Sequence, residues 1–184
     1  MKPKLFIVTG NTMKFKELSS KLNDFFDCEQ KNWDEPEIQG TPTEIINHKL
    51  KSAYAKFKHP VLVDDTSLHF SELNGFPGPY IKDFWKCFTP YEAGMKFIDS
   101  KVKVTAWLGL CRGSEDTLIA EGTIHGKVVK PQREDHQGRW FDLFVQVDGT
   151  DKPMIEFTHE EKNQFTHRGL AMDNLIEILN KETK

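Results

Sequence analysis

Long apolar runs are absent from this 184-residue chain, and so is any excess of positive charge. The longest uninterrupted apolar stretches span only a few residues, so we expect no helix that crosses a membrane. With a net charge of −3, the chain has no bulk attraction to nucleic acid. Any binding of phosphate groups must therefore come from a local cluster of lysine and arginine side chains.

Cysteine is also scarce: Cys28, Cys87 and Cys111 are odd in number and form no CxxC pair. This pattern favours reduced thiols in a cytoplasmic protein and argues against a disulfide framework or a zinc site. The chain also lacks a GxSxG motif, a P-loop and a GxGxxG fingerprint. The familiar nucleophile and nucleotide-binding signatures therefore do not decide its function.

The chain has an ordinary globular composition, with 38% hydrophobic and 29% charged residues. Its length suits one domain over residues 1–184. The first segment, MKPKLFIVTGN, indicates a strand, because its apolar run lacks the core and cleavage site of a signal peptide. We expect a second strand over about 27–32, and the apolar run that starts at Val61 predicts a further strand over 61–65. Helical spacing predicts one helix capped by Asn11 or Thr12 and a second over 42–57, so this half is α/β with a partly parallel sheet.

The rest of the chain follows a different pattern. Stretches rich in β-branched and aromatic residues, 102–112 and 117–129, flank Gly-Ser-Glu-Asp and predict a long antiparallel hairpin. We also expect a helix over 90–98, a polar loop over 130–140, a strand over 144–147 and a C-terminal helix capped by Thr166. The predicted fold class is α/β, a mixed sheet with flanking helices and a long hairpin.

Two segments follow predicted strands and carry groups suited to a phosphate or a cation. Residues 9–14, TGNTMK, open a helix, whose N-terminus favours phosphate, with Lys14 in its first turn; a plain turn with a surface lysine is the alternative. Asp64 and Asp65 follow the apolar run 61–63, where open α/β sheets bind ligands. A carboxylate pair suits Mg²⁺. Because adjacent strand residues point to opposite faces, we expect only one acid to face the site, unless both are simply solvated.

Two later segments are weaker candidates. The loop over 74–82, NGFPGPYIK, is either a plain connection or a stiff rim that places Lys82 near phosphates. The second candidate combines Glu161-Lys162-Asn163 with His167 and Arg168, which fall in the first turn of the last helix, a place unfavourable for cations without a polar partner. Three histidines lie on predicted strand or loop segments and are assigned no role: His125, His136 and His159.

In collinear order, VTGNTMKFKEL, PEIQGTPTEI, VLVDDTSL with NGFPGPYIK, DLFVQVDG and EKNQFTHRGLA resemble the inosine-triphosphate pyrophosphatase family and span almost the whole chain. The resemblance implies an elongated α/β fold, a homodimer and Mg²⁺ dependence. It also implies hydrolysis of nonstandard purine nucleoside triphosphates to the monophosphate and pyrophosphate. By this resemblance, Asp65 binds metal and activates water, and Glu37 is a second metal ligand.

The resemblance also implies the substrate contacts. Lys14 would be both a catalytic and a phosphate-binding residue, and the other matched positions divide between phosphate, substrate and base. They are Thr9, Gly10, Asn11, Lys49, Lys82, Thr66, Asp142, Lys162, His167 and Arg168. Donors from His167 and Arg168 would favour the oxygen at position 6 of inosine or xanthosine over the amino group of adenosine.

One motif departs from the family. Where relatives have Gly-Phe-Gly-Tyr/Trp-Asp-Pro, this chain reads GRWFDL over 138–143. Asp142 is kept, and Phe141 can replace the stacking aromatic. Trp140 stands in the place of a glycine and Arg139 in a place that is often aromatic, so the base pocket is expected to differ. A shifted base preference and a nucleotide-binding module without catalysis are therefore alternative interpretations.

Overall fold

The structure is a computed structural model, and it describes residues 2–33, 35–114, 116–136 and 140–182. Six α-helices are found in these residues: α1 Thr12–Leu22, α2 Pro42–Phe57, α3 Ile81–Cys87, α4 Pro90–Lys96, α5 His159–Phe165 and α6 His167–Glu182. The strands are β1 Lys4–Val8, β2 Asp27–Lys31, β3 Val61–Phe70, β4 Pro77–Gly78, β5 Lys101–Gly113, β6 Asp116–Val128 and β7 Val145–Val147. None of the described helices is long and apolar enough to cross a membrane.

The strands form one mixed sheet, hydrogen-bonded in the order β2-β1-β3-β5-β6-β7, with β4 paired to β3. Strand β1 runs parallel to β2 and to β3, as the alternating strand and helix pattern predicts. Strands β5 and β6 are neighbours joined by two residues, which only an antiparallel hairpin allows. The predicted α/β class with a mixed sheet and a long hairpin is confirmed.

The described contacts divide the chain into two compact units. Unit 1 comprises Met1–Asp65, Ala106–Gly122 and Arg168–Lys184, and unit 2 comprises Thr66–Thr105 and Thr123–His167. The single domain over 1–184 stays a prediction.

Unit 1 has a core on each face of its sheet. Side chains of β1, β3 and β5 alternate, as a sheet buried on both faces requires. Leu62 belongs to a cluster with α1 and α6, through Leu18 and Leu175. Its neighbours Val61 and Val63 belong to a second cluster with α2. Successive residues at the start of β3 therefore face one helical layer and then the other.

Unit 2 has an aromatic core. Phe70 of β3 lies 5.6 Å from Phe84 of α3, 5.0 Å from Phe97 and 6.3 Å from Phe144, measured between ring centroids. Phe70, Phe84 and Phe144 are almost fully buried. Large buried rings of this kind supply much apolar contact area, so this cluster fixes α3 against its part of the sheet.

Two predictions about local structure were wrong. Strand β3 does not end at Asp65 but continues to Phe70, since the alternating residues after Asp65 extend the pleat and pair with β4. Both aspartates therefore lie inside a strand and not at its tip. In addition, His159, predicted on a strand or loop, begins helix α5. The missed signal is Thr158-x-x-Glu161, whose side chains form a capping box.

Candidate active site

The first charged cluster of unit 1 is centred on Asp64, whose side chain is only 4% exposed. Its Oδ1 accepts a hydrogen bond from Lys14 Nζ at 2.8 Å. Its Oδ2 accepts from Nε and a terminal nitrogen of Arg168, each at 3.2 Å. Arg168 also donates to Glu17 Oε2 at 2.8 Å. Burial opposes ionisation of Asp64, but Lys14 and Arg168 together outweigh it and hold its pKa well below the ordinary value.

Lys14 reaches this cluster because Asn11 starts helix α1. Asn11 Oδ1 accepts from the backbone amides of Met13 and Lys14, at 2.9 and 3.2 Å, so the predicted cap is confirmed. These two amides therefore bind a side chain of the protein itself. A Cβ at Gly10 would lie 2.9 Å from Asn32 Oδ1, so a larger residue there would require the Asn32 side chain to move.

The second cluster of unit 1 joins two carboxylates through one lysine. Lys49 Nζ lies 2.6 Å from Glu37 Oε1 and 2.5 Å from Asp65 Oδ1. The pKa of Asp65 is raised, first by burial and then by the charges of Glu37 and Asp64, which Lys49 only partly offsets. The pKa of Lys49 is also raised, because its two acidic partners outweigh its burial. One ammonium thus serves two acids, and Asp65 is left short of positive charge.

Helix α2 carries Lys49 to this point. It starts with a capping box between Thr41 and Glu44, and Pro42 occupies its first turn. The helix was predicted over these residues from its apolar spacing, and it buries Ile46 and Leu50 against β3. Lys49 lies between these core positions on the helix and near enough to β3 to reach Asp65.

The adjacent aspartates serve different partners, as the alternation along a strand predicts. Asp64 contacts residues of α1 and α6, whereas Asp65 contacts a residue of α2. The expectation that the two acids divide their roles therefore agrees with the contacts, although their position at the strand tip was wrong.

The donor set around Asp65 fits a hard divalent cation. Oδ2 of Asp65 is buried and has no hydrogen-bond partner among the described residues. No group of three or more His, Cys, Asp or Glu suited to a metal is found in that part of the chain. Mg²⁺ is commonly bound by one or two carboxylates and completes its shell with water and substrate phosphate, so Glu37 and Asp65 suffice.

In unit 2, a buried ion pair joins the carboxylate of Asp142 and the ammonium of Lys162. Both residues are less than a tenth exposed. Asp142 lies in the 3-10 helix Trp140–Leu143, hereafter the 140–143 turn, and Lys162 lies in α5. Beside this pair, the rings of Phe141 and His167 lie 5.6 Å apart. The structure thus brings together four of the residues predicted to hold the base.

The remaining predicted residues of unit 2 lie elsewhere in that unit. Thr66 is in β3, and its hydroxyl is buried without a hydrogen-bond partner in the described part of the chain. Lys82 is exposed in the first turn of α3, which follows the glycine- and proline-rich loop. Gly75 and Gly78 of that loop have φ of 91° and 59°, which explains the glycines.

Sequence reasoning placed Arg168 with the base and did not select Glu17. The structure places Arg168 in unit 1, with its guanidinium between Asp64 and Glu17. One sequence signal could have identified Glu17: it lies three residues after Lys14 on α1, a spacing that puts both on one helix face. Arg139 lies outside the described residues.

The fold and these clusters define a class of protein: a mixed α/β protein whose buried acids are paired with lysine and arginine side chains. Comparison with known proteins makes this specific. The model of the Ham1 family matches residues 5–178 of the chain. The protein belongs to the Ham1 family.

Curated relatives and a solved structure agree with this membership. The chain is 34% identical over 182 residues to the inosine triphosphate pyrophosphatase of Schizosaccharomyces pombe, covering 97% of this chain and 96% of that protein. It is 35% identical to the inosine triphosphate pyrophosphatase of Scheffersomyces stipitis, covering 94% and 95%. A HAM1 protein from Coxiella burnetii has the same fold, with a TM-score of 0.82, 22% identity and coverage of 98% and 100%.

Proposed function

We propose that this protein hydrolyses nonstandard purine nucleoside triphosphates, namely ITP, dITP and XTP, to the monophosphate and pyrophosphate in a Mg²⁺-dependent reaction. The names of the relatives support the reaction. The observation that carries it here is the buried Oδ2 of Asp65, which has no hydrogen-bond partner among the described residues and lies in a carboxylate shared with Lys49. A structural ion pair gains nothing from such an unsatisfied oxygen.

In the proposed reaction, water attacks the α-phosphorus and the bond to the oxygen that bridges to the β-phosphorus breaks. Asp65 orients this water and accepts its proton, a task that suits a carboxylate whose pKa is raised by burial. Lys14, Lys49 and Lys82 balance the charge of the phosphate chain. Bound Mg²⁺, held by Glu37 and Asp65, would supply Lewis-acid stabilisation of the charge on the leaving pyrophosphate.

The turn over Thr9, Gly10 and Asn11 contributes to binding of the phosphates, and Thr66 supplies a further contact to the substrate. In unit 2, Phe141 stacks on the base, and Lys162 and His167 donate to its oxygen, with Asp142 holding Lys162. An adenine amino group would leave these buried donors without acceptors, which is how such a site discriminates. Arg168 stays proposed as a donor to the base, and its guanidinium also binds the carboxylates of Asp64 and Glu17.

The test is release of pyrophosphate from ITP, dITP, XTP, ATP and GTP, each with Mg²⁺ and with Mg²⁺ removed by a chelator. We expect turnover of the first three, and a loss of about 10²–10⁴-fold in kcat for Asp65→Asn, the range for removal of a general base. Asp173→Asn is the matched control, because Asp173 is an exposed acid whose ion-pair partner is Lys21. Absence of pyrophosphate release from every substrate would rule out the proposal.

A shifted base preference is the second candidate, and the GRWFDL segment favours it. The same substrate panel separates the two, because a shifted enzyme releases pyrophosphate from another triphosphate. Calorimetry identifies a nucleotide-binding module without catalysis, which binds a triphosphate tightly without turnover.

We further propose a cytoplasmic homodimer. The three free cysteines support a reducing compartment, and burial raises the pKa of the Cys28 thiol to about 11, which makes that thiol unreactive. Light scattering should give twice the chain mass of 21.3 kDa. A value equal to a single chain would contradict the dimer.

A further inference from the structure

Three aromatic rings stack at the start of the 140–143 turn. The ring of Trp140 lies 5.5 Å from that of Trp85, with 23° between the planes. It lies 4.7 Å from the ring of His136, with 27° between the planes. Near-parallel rings at these distances attract one another beyond the contribution of buried area. Trp140 thereby ties its turn to helix α3, which carries Trp85.

The backbone conformation of Trp140 requires contacts that hold it in place. Its φ is +23°, in the region that bulky L-residues avoid and that glycine adopts freely. A tryptophan holds this conformation only when surrounding contacts impose it. With 41% of its surface exposed, Trp140 is not fixed by burial in the core, and among the described residues the ring stack is the contact that holds it.

The two residues after Trp140 are those assigned to the base. Phe141 packs on His167, and Asp142 pairs with Lys162. Both contacts depend on the direction in which the 140–143 turn starts. The backbone of Trp140 sets that direction. On the far side of the stack, Trp85 is itself anchored, 5.0 Å from the core ring of Phe84.

We propose that Trp140, held by Trp85 and His136, is a positioning residue that fixes the 140–143 turn in the conformation that binds the base. Trp140 does this through Phe141 and Asp142 and not through contact with the substrate. This inference rests on the proposed function of the turn. It makes Trp140 a determinant of affinity for the base but not for the phosphates.

The stack itself is tested by circular dichroism. Two closely stacked indoles couple their transitions and give a paired positive and negative signal in the far ultraviolet. We expect this couplet in the wild type, its loss in both Trp85→Leu and Trp140→Leu, and its retention in Trp33→Leu. Trp33 packs edge-on against Phe57 in unit 1 and has no part in the stack. A couplet that survives either of the first two substitutions would contradict the stack.

The functional test separates the base from the phosphates by calorimetry with inosine monophosphate and, separately, with pyrophosphate and Mg²⁺. For Trp140→Leu we expect about a tenfold rise in Kd for inosine monophosphate, which corresponds to about 1.4 kcal/mol, and an unchanged Kd for pyrophosphate. Leucine, like tryptophan, is an L-residue that avoids positive φ, so the steric demand on the backbone stays the same. The substitution therefore removes the ring stack alone. In steady-state kinetics of Trp140→Leu, KM for ITP should rise by about the same factor as this Kd, while kcat stays within about twofold of the wild-type value.

Three further variants and one control distinguish positioning of the turn from general destabilisation of the protein. Trp85→Leu should raise the same Kd, and the double variant should be no weaker than Trp140→Leu, because Trp85 acts through Trp140. Trp140→Phe, which can still stack, should restore most of the affinity. Phe88→Leu is the matched control: its ring, at the end of α3, contacts Phe84 and Phe97. It should leave both Kd values unchanged.

The outcomes separate this inference from the proposed function. If the wild type neither binds inosine monophosphate nor hydrolyses ITP, the proposed function fails. If the wild type does both, but Trp140→Leu binds inosine monophosphate normally, the positioning role fails alone. Equal weakening of inosine monophosphate and pyrophosphate would also overturn it, because that result indicates a general structural effect.

Discussion

The two units deal with buried charge in different ways. In unit 1, buried ions form groups of three or more: Asp64 with Lys14 and Arg168, and Lys49 with Glu37 and Asp65. In unit 2, the described contacts include the buried pair of Lys162 and Asp142, with an aromatic core and a ring stack in the same unit. This difference agrees with the roles proposed for the two units, because phosphates require charge balance, whereas a base requires shape and a few hydrogen bonds.

Unit 1 also shows that neighbours in sequence can have opposite electrostatic environments. The pKa of Asp64 is lowered and that of Asp65 is raised, although both lie in the same strand and are largely buried. Two cations surround Asp64, whereas Asp65 shares one cation with another acid. The number of compensating charges, and not burial alone, therefore decides which acid is available for chemistry.

The largest effect on stability is expected for Arg168→Met. This change leaves Asp64 and Glu17 buried without their common partner, and removal of one member of a buried ion pair costs about 3–5 kcal/mol. Urea unfolding measures it. Lys21→Met, which removes an ion pair with the half-exposed Asp173, should cost less than about 1 kcal/mol. Similar losses for both would show that the Asp64 cluster is not a coupled network.

Unit 2 should differ in how it responds to a second substitution. Lys162→Met alone should cost about 3 kcal/mol, because Asp142 stays charged and buried. Lys162→Met/Asp142→Asn should recover most of that loss, since no buried charge of the pair remains. In unit 1, Arg168→Met/Asp64→Asn should recover less, because Glu17 remains. Equal recovery in the two units would remove the distinction between a pair and a network.

Low pH should destabilise unit 1 by protonating Asp64. Its pKa is lower in the folded than in the unfolded chain, so its stabilisation is present above about pH 4 and is lost as pH falls toward the folded value. The free energy of unfolding should decline by up to about 1.4 kcal/mol per pH unit in that window. Lys14→Met should flatten the decline. An unchanged slope in this variant would show that Lys14 does not lower the pKa.

The pKa of Asp65 shifts on folding in the opposite direction to that of Asp64. Its pKa is raised on folding, so its contribution favours the folded state below the unfolded pKa of about 4 and is lost as pH rises through the folded value. We expect added Mg²⁺ to stabilise the wild type more at pH 8 than at pH 4, and to stabilise Asp65→Asn less. Thermal melts across pH with and without Mg²⁺ measure this. Equal stabilisation at both pH values would argue against a metal bound by Asp65.

The smallest effect concerns two of the three described capping boxes, one taken from each unit. Thr41→Ala and Thr158→Ala each remove a cap and should cost about 1 kcal/mol. The caps lie on the helices of Lys49 and Lys162, respectively. Thr158→Ala should therefore raise Kd for inosine monophosphate, and Thr41→Ala should raise Kd for pyrophosphate. Serine at either position keeps the hydroxyl and should restore both stability and affinity.

Local signals predicted much of the fold. The bounds of α2 follow from Thr-Pro at its start and apolar spacing within it, and the hairpin follows from two β-rich stretches around a polar turn. The end of β3 was mispredicted because Asp64 and Asp65 interrupt the apolar pattern of a strand that continues past them. Helix α5 was missed because its seven residues are too short to show a periodic apolar pattern.

Most strands and helices, the cap at Asn11 and the family resemblance follow from the sequence, because they depend on local backbone preferences and on motifs in linear order. The tertiary structure alone decided which ions meet. Arg168 reaches Asp64 across 104 residues of chain, and Lys49 reaches Asp65 across 16. The same holds for Trp140, whose proposed role depends on the ring of Trp85, which lies far earlier in the chain. Contacts of this kind exist only after the helices have packed on the sheet, so no local pattern encodes them.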